Sequence, residues 1–235
     1  MPQRVAVFID WQNVYHCARE AFHNPADDPS RYGNLRPNAF AQLLAEKGPA
    51  DRVVSFIGIY RGQPDPRRDP RTHAAHMRQR QAWEAQCGPL LRVKTRALRY
   101  LSGRPLSEAD EKGIDVQLAI DVMLMGVANE YDVAILATTD NDLLPVVEGL
   151  VALRAANGRP AVEVIAWQGV ARHLSVPGVT VRWIGRKDYE AVRDPTDYNI
   201  AAAETRRVRF DPCPSNCGAR TGHSLAWRWE GRASC

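Results

Sequence analysis

Long hydrophobic runs are missing from this 235-residue sequence, and no apolar stretch approaches the 18 residues that a membrane-spanning helix needs. The chain starts Met-Pro-Gln-Arg and continues directly into a short strand-like run, which predicts neither a membrane span nor a signal peptide. Cysteine is also scarce, since five residues scattered along the chain are too few to build a disulfide scaffold. We therefore expect a protein of the reducing cytoplasm that folds around an ordinary hydrophobic core.

Net charge is small in total but uneven along the chain. The formal charge is +4, from 31 basic and 27 acidic side chains. The segment 61–104 carries eleven Lys and Arg against three acids and is therefore +8, whereas the rest of the chain is −4. Arg accounts for 27 of the basic residues, and its planar guanidinium suits bidentate phosphate contacts and stacking on bases. The segment predicts either a nucleic-acid surface or a solvated face that reflects overall composition.

Strand-like and helix-like segments alternate along most of the sequence. Short apolar runs predict strands, and segments with apolar residues every three or four positions predict helices. The predicted strands cover residues 4–9, 53–60, 91–101, 133–137, 161–166 and 179–183, and the predicted helices cover 11–22, 38–46, 72–86, 115–129 and 143–155. Residues 62–71 and 102–113 predict exposed loops. This alternation favours an α/β fold with a mainly parallel, doubly wound central sheet.

The alternating pattern ends near residue 194. We predict one domain over residues 1–193 and an irregular tail over residues 194–235, rich in Arg, Trp and Cys, that is either disordered or docked. Cys213, Cys217 and His223 of the tail have an irregular spacing, which suggests either a zinc knuckle or residues unrelated to metal binding.

Acidic residues stand where predicted parallel strands end. Asp10 directly follows the first predicted strand, and Asp140 and Asp142 follow the fourth. Asp115 begins the helix that precedes the fourth strand, and Asn13 lies one helical turn after Asp10. In an open parallel sheet, ligand sites form at the carboxyl ends of the strands. We therefore expect these side chains to share one crevice.

A crevice with several carboxylates needs a compensating cation. Asp121 lies on the same helix as Asp115 but about 120° around its axis, which predicts a wall position or a supporting acid. Any one of these acids alone could instead be a helix cap. Several together repel each other unless a positive charge offsets them. Because no His and Cys set with zinc spacing accompanies these acids, we expect Mg²⁺ or Mn²⁺, which supports phosphodiester hydrolysis.

Three segments together resemble the NYN-domain family: Val7–Asn13, Lys112–Asp121 and Tyr131–Pro145. NYN domains belong to the PIN-like nuclease superfamily, and this chain is similar to the bacterial LabA-like branch over about residues 4–186. The resemblance implies a PIN-like three-layer α/β/α fold and a metal-dependent ribonuclease activity.

The resemblance also implies roles for the matched side chains. The catalytic set would be Asp10, Asn13, Asp115, Asp121, Asp140 and Asp142. The metal ligands within it would be Asp10, Asp115, Asp140 and Asp142, of which Asp142 either binds the metal or positions water. Asn13 would orient Asp10 or contact a phosphate, and Lys112 would stabilise phosphate charge.

The sequence departs from the family pattern in two places. Trp11 stands where the family carries a small residue, and residues 138–142 are Thr-Thr-Asp-Asn-Asp where the family has Ser-Gly-Asp-Ser-Asp. Neither change removes an acid. We expect Trp11 either to crowd the crevice or to offer an RNA-binding surface on which a base stacks.

These observations predict a bacterial, cytoplasmic endoribonuclease that depends on Mg²⁺ or Mn²⁺. Its partner would be single-stranded RNA rather than a membrane, and a homodimer is compatible with the sequence. The backbone of the RNA would be guided by basic side chains of the segment 61–104, namely Arg92, Lys94, Arg96 and Arg99. Two alternatives remain: an RNA-binding or regulatory scaffold with a degenerate nuclease site, which Trp11 favours, and a metal-dependent phosphatase of small phosphate esters.

Overall fold

A computed structural model of the chain describes residues 1–26, 28–103, 105–106 and 109–200. The strands are β1 (Gln3–Asp10), β2 (Arg52–Gln63), β3 (Leu91–Ala97), β4 (Val133–Ala137), β5 (Ala161–Trp167) and β6 (Thr180–Ile184), and the helices are α1 (Trp11–Phe22), α2 (Pro37–Glu46), α3 (Pro70–Cys87), α4 (Ile114–Val127), α5 (Leu144–Asn157) and α6 (Arg186–Val192). Across these described residues, we find no helix of the length and apolar character required to cross a membrane. The predicted zinc pattern of Cys213, Cys217 and His223 lies outside them.

The strands form one sheet in the order β3-β2-β1-β4-β5-β6, and every pairing between neighbouring strands is parallel. Successive side chains of a strand point to opposite faces of its sheet. Accordingly, Val5, Val7 and Ile9 of β1 pack in a core with α1, α2, α3 and α6. Ala6 and Phe8 of the same strand pack in a second core with α4 and α5. The predicted three-layer α/β/α fold with a mainly parallel sheet is confirmed.

The strand order reverses at β1, which lies between β2 and β4 in the centre of the sheet. Such a switch point opens a crevice at the carboxyl ends of the two central strands. Asp10 is the last residue of β1, and β4 ends at Ala137, three residues before Asp140. The topology therefore places the two predicted strand-end acids on either side of one crevice.

Several element boundaries differ from the prediction. Strand β3, predicted to reach residue 101, ends at Ala97, where its pairing with β2 stops. Strand β2 continues to Gln63 instead of ending at Tyr60, because its last residues pair with β3 as far as Ala97. The predicted loop 62–71 is correspondingly shorter, and α3 starts at Pro70 after Asp69, whose carboxylate accepts a hydrogen bond of 3.0 Å from the Thr72 N–H. Helix α6, which the periodicity did not predict, has only seven residues.

The first compact unit runs from Met1 to Ile200, seven residues past the predicted domain boundary at 193. Residues 194–200 are held on this unit by side chains of the domain. Arg78 of α3 donates two hydrogen bonds, of 2.8 and 2.6 Å, to the carbonyl oxygen of Tyr198. Arg31 and Asp197 form an ion pair of 3.8 Å.

A buried ion-pair triad connects β2, β5 and β6 near the amino ends of the strands. Glu163 accepts hydrogen bonds of 3.1 and 2.6 Å from Arg52 and of 2.7 and 2.9 Å from Arg182. Burial by itself would raise the pKa of Glu163, but the hydrogen bonds from Arg182 and Arg52 outweigh it and hold the pKa below its usual range. We refer to these three residues as the Glu163 triad.

Candidate active site

A cavity of about 260 Å³ lies at the carboxyl ends of β1 and β4. We call it the acid pocket. Its lining residues come from α1, from the segment around the start of α4, from the loop after β4 and from the loop after β5: Asp10, Gln12, Asn13, His16, Glu111, Asp115, Asp140 and Arg172. Four members of the predicted catalytic set, Asp10, Asn13, Asp115 and Asp140, are therefore brought together.

Asp10 forms the floor of the acid pocket and is only 6% exposed. One of its carboxylate oxygens accepts a hydrogen bond of 3.2 Å from the Asn13 N–H and thereby caps α1. The other accepts a hydrogen bond of 3.0 Å from the hydroxyl of Thr138. Burial raises the pKa of Asp10 to about 7; these two hydrogen bonds oppose the rise, and the charges of Asp115 and Glu111 add to it.

Thr138 and Asn13 connect the two strand ends. The Thr138 hydroxyl donates to Asp10 and accepts a hydrogen bond of 3.1 Å from the backbone N–H of Asp140. The side-chain oxygen of Asn13 accepts hydrogen bonds of 2.9 and 3.2 Å from the N–H and the hydroxyl of Thr139. These bonds connect Asp10 and α1 directly to the loop after β4, which carries Asp140.

Asp115 and Asp140 both line the pocket, and their charges interact. Burial raises the pKa of Asp115, and the charges of Asp140 and Asp142 raise it further. Asp142 is exposed and does not line the pocket, although its backbone N–H donates a hydrogen bond of 3.0 Å to Asp140. Asp142 therefore lies beside the pocket, next to a carboxylate that lines it.

Glu111, His16 and Arg172 line the acid pocket although the sequence analysis did not identify them. Glu111 accepts a hydrogen bond of 2.6 Å from the Gly62 N–H, and burial raises its pKa. Arg172 brings a positive charge and pairs with Glu20 at 2.6 Å. His16 follows Asn13 by one helical turn and Glu111 precedes Lys112, so their positions beside matched segments could have indicated both. No local pattern indicates Arg172.

Asp121 lies outside the acid pocket, so the structure does not bring it together with the other acids of the predicted catalytic set, and its predicted place as a supporting acid stays a prediction. Its carboxylate accepts hydrogen bonds of 3.0 Å from the Tyr60 hydroxyl and of 2.9 Å from the Gln117 amide, and Lys94 lies 3.9 Å away. The turn of about 120° around α4 directs Asp121 toward β2 and β3, whereas Asp115 reaches the acid pocket. Asp121 is therefore part of the contact between α4 and β3.

Trp11 is buried in the core, so it does not crowd the acid pocket, and its role in binding RNA stays a prediction. The residue is 4% exposed, and its ring packs on Trp83 of α3 with the ring centroids 4.3 Å apart. Trp11 lines the cavity next to the acid pocket but not the acid pocket itself. The family's small residue is therefore replaced without closing the acid pocket.

Exposed basic side chains follow the edge strand β3. Arg92, Lys94 and Arg96 alternate along the strand and so share one face, on the side of α4, where Arg96 donates a hydrogen bond of 2.7 Å to Gln117. We call these three residues the basic row. Arg99 and Lys112 are also exposed, beyond the strand and before α4 respectively.

The acid pocket offers the donor atoms that a hard cation prefers. In the part of the chain that the structure describes, no three His, Cys, Asp or Glu side chains are close enough together to hold one metal ion. Mg²⁺, however, usually keeps several waters and is held through one or two carboxylates and the phosphates of its substrate. Asp115 and Asp140, whose charges interact across the pocket, meet that requirement. The residues present therefore fit a hydrated Mg²⁺ or Mn²⁺ ion.

The residues that line the acid pocket fall within a region that matches a known family. The NYN domain model matches residues 4–175, which is most of the chain. A solved structure similar to this chain is a protein of unknown function, VPA0982, from Vibrio parahaemolyticus RIMD 2210633. The two sequences are 21% identical, and the match covers 80% of this chain and 95% of that chain with a TM-score of 0.44. No curated protein matches the chain in sequence.

Proposed function

We propose that this chain, which belongs to the NYN-domain family, is an endoribonuclease that depends on Mg²⁺ or Mn²⁺. NYN domains are PIN-like nucleases, so a nucleic acid is the expected substrate. The observation that carries the proposal is the acid pocket, in which Asp10, Asp115, Asp140 and Glu111 line one cavity at the switch point of the sheet. Four carboxylates in one cavity repel one another, and a bound cation would offset that repulsion.

In this proposal, Asp115 and Asp140 hold the hydrated cation directly, and Asp10, the third predicted ligand, acts on it through its bound water. Asp142 either contacts the ion in the same way or orients the attacking water. The ion, when bound, supplies a charge that stabilises the scissile phosphate and makes bound water more acidic. The protein holds Asp10 in one orientation through Asn13 and Thr138. Carboxylates held in advance need little rearrangement when charge develops on the phosphate, which favours catalysis.

The proposed path of the RNA follows the basic row toward the acid pocket. The basic row and Arg99 would contact phosphates by charge, and Lys112, next to the Glu111 wall of the pocket, would neutralise the phosphate nearest the cut. We propose single-stranded RNA as the substrate because an extended strand can follow an edge strand while its bases remain open. The proposal places the enzyme in the bacterial cytoplasm.

A cleavage assay with one matched pair of variants tests the function. Purified chain is incubated with end-labelled single-stranded RNA in Mg²⁺, in Mn²⁺ and in EDTA, alongside Asp140→Asn and Asp51→Asn. Both variants remove one carboxylate, but Asp51 is an exposed residue at the amino end of β2, away from the acid pocket. We expect metal-dependent cleavage by the wild type and Asp51→Asn, and a loss of at least about 100-fold for Asp140→Asn, the scale on which metal-site groups contribute.

Other outcomes separate the alternatives. Equal cleavage by Asp140→Asn and the wild type would contradict the proposed site. An RNA-binding scaffold would bind RNA in a salt-sensitive way, with or without metal, and would not cleave it. A phosphatase would hydrolyse a small phosphate ester, and replacing the basic row would leave that activity unchanged. A homodimer stays a prediction, which light scattering on the purified chain decides.

A further inference from the structure

A second cavity, of about 240 Å³, lies next to the acid pocket. We call it the arginine pocket. It opens between α1, α3 and the segment 194–200, and Gln12 lines both cavities. Its volume is far larger than the ~10–15 Å³ that a single water needs, so it has room for an organic ligand.

Arg61, at the carboxyl end of β2, lines the arginine pocket and is 6% exposed. Its guanidinium donates a hydrogen bond of 2.7 Å to Gln79 and lies 5.4 Å from the ring centroid of Trp83. The Nε atom of Arg61 is buried without a hydrogen-bond partner, and no carboxylate among the described residues lies within 4 Å of the guanidinium. A buried charge is costly unless it is paired, so this arrangement favours an anion from outside the protein.

The charges around Arg61 leave it as the uncompensated group of this cavity. Burial lowers the pKa of Arg61 to about 10, which still keeps the guanidinium charged at neutral pH, and Glu111, in the acid pocket, partly opposes that decrease. His76 lines the cavity with a buried Nδ1 that has no partner, and burial lowers its pKa to about 3, so its imidazole is neutral. Asp197 also lines the cavity but pairs with Arg31.

The remaining walls suit a planar ring with polar edges. The aromatic side chains of Tyr15 and Tyr198 line the cavity together with the amides of Gln12 and Asn34. Aromatic rings stack on nucleobases of any kind, and amide groups pair with the edges of bases. Gln79 is held by its own hydrogen bond of 3.0 Å to Asn34, so this polar wall is ordered.

We propose that the arginine pocket binds one nucleotide of the RNA strand, next to the phosphodiester bond that is cut, with the phosphate on Arg61 and the base between the tyrosine and amide walls. The inference rests on the proposed function in one respect, because it takes the nucleotide to belong to an RNA substrate. The shared Gln12 makes the two cavities neighbours, so a strand that occupies one pocket continues into the other.

Mononucleotide binding tests the proposal without cleavage. Isothermal titration of the full chain is carried out in EDTA with the four 5′-nucleoside monophosphates, with the corresponding nucleosides and with inorganic phosphate. We expect at least one monophosphate to bind, and both its nucleoside and inorganic phosphate to bind at least about tenfold more weakly, because each lacks one half of the contacts.

Three variants assign the binding to this cavity. Arg61→Met removes the charge at similar length and should weaken binding at least about tenfold, the loss expected for a hydrogen-bonded charge. Since a change at a buried residue can prevent folding, Thr72→Phe provides an independent variant: it leaves Arg61 in place and fills the cavity from α3. Arg154→Met, on the exposed side of α5, removes the same charge elsewhere and should leave binding unchanged.

The possible results separate this proposal from the nuclease activity. The absence of monophosphate binding by the folded wild type overturns the pocket, even if RNA is cleaved. Inorganic phosphate binding as tightly as the nucleotides, or a folded Thr72→Phe that binds like the wild type, overturns it as well. Monophosphate binding that Thr72→Phe abolishes supports the pocket, even if the cleavage assay contradicts the nuclease.

Discussion

Replacing Thr138 by Val tests whether one buried hydroxyl holds the acid pocket together. Thr138 is completely buried, and its hydroxyl both donates to Asp10 at 3.0 Å and accepts from the Asp140 N–H at 3.1 Å. Val has nearly the same shape but no hydroxyl, so both hydrogen bonds disappear while the packing volume is kept. Thr138→Ser keeps the hydroxyl and loses one methyl group, which makes it the matched control.

The two hydrogen bonds determine the size of the effect. At pH 8, where Asp10 with its pKa of about 7 is mostly ionised, a hydrogen bond to its charge contributes about 1.5–3 kcal/mol, and the part-buried Asp140 N–H left without a partner costs at most about 1–3 kcal/mol. Because both losses occur at one residue they do not add fully, and we expect Thr138→Val to lower the free energy of unfolding by about 2–4 kcal/mol. Thr138→Ser should lower it by only about 1 kcal/mol, the contribution of one buried methyl group.

Urea unfolding followed by tryptophan fluorescence measures the stability, and the RNA cleavage assay measures the activity of each folded variant. We expect Thr138→Val to lose most of the metal-dependent cleavage, because Asp10 and the Asp140 loop are no longer tied together, and Thr138→Ser to retain it. If Thr138→Ser lost as much stability and cleavage as Thr138→Val, methyl packing rather than the hydroxyl would be responsible. A Thr138→Val protein as stable and active as the wild type would refute the reasoning outright.

Three further predictions concern other parts of the molecule. Glu163→Gln should lower the free energy of unfolding at pH 7 by about 3–5 kcal/mol, because two buried cations of the Glu163 triad lose their partner. Folding lowers the pKa of Glu163, so the difference in stability from wild type should be complete above the unfolded pKa of about 4.3 and should shrink as the pH falls below that value. Urea unfolding at several pH values measures this difference. Gly62→Ala should reduce RNA cleavage more than stability, because its Cβ would lie 2.2 Å from Cδ2 of Leu98, which is the end of a flexible side chain, and 2.5 Å from the Glu111 carboxylate, which it would displace. Replacing the whole basic row by Gln should weaken RNA binding and reduce the slope of log K against log salt by about 2, the value for three phosphate contacts on a single strand.

Each of these predictions has a control and a contradicting result. A stability difference for Glu163→Gln that stays constant from pH 7 to pH 3 would exclude the charge of Glu163 as its cause. Unchanged cleavage by Gly62→Ala would remove Glu111 from the acid pocket's function. The control for the basic-row variant removes the same charge from the other half of the sheet, by replacing Arg154, Arg159 and Lys187 with Gln. Equal salt slopes for the two triple variants would contradict a specific RNA path.

The strand-end acids could be predicted because their positions are local in the sequence. Asp10 directly follows β1, and Asp140 follows β4 by three residues, so the parallel topology alone brings both to the switch point. The fold class and the NYN family were confirmed for the same reason, since both depend on the order of short segments. The catalytic role of these residues stays a prediction. Whether Asp121 reaches the pocket could not be predicted, because helix periodicity does not show which strand a side chain faces; its hydrogen bonds with Tyr60 and Gln117 hold it beside β2.

The sequence by itself determined the alternation of strands and helices, the parallel sheet and the three acids at its carboxyl edge. These features depend on hydrophobic periodicity and on the residues that end each strand, which neighbouring positions specify. Only the tertiary structure decided what lies around the acids. Thr138 is 128 residues from Asp10, and Trp11 packs on Trp83 of another helix. Arg61 is buried by distant segments that place no carboxylate within 4 Å of it among the described residues. Long-range contacts of this kind depend on how the whole chain packs, so a local pattern cannot predict them.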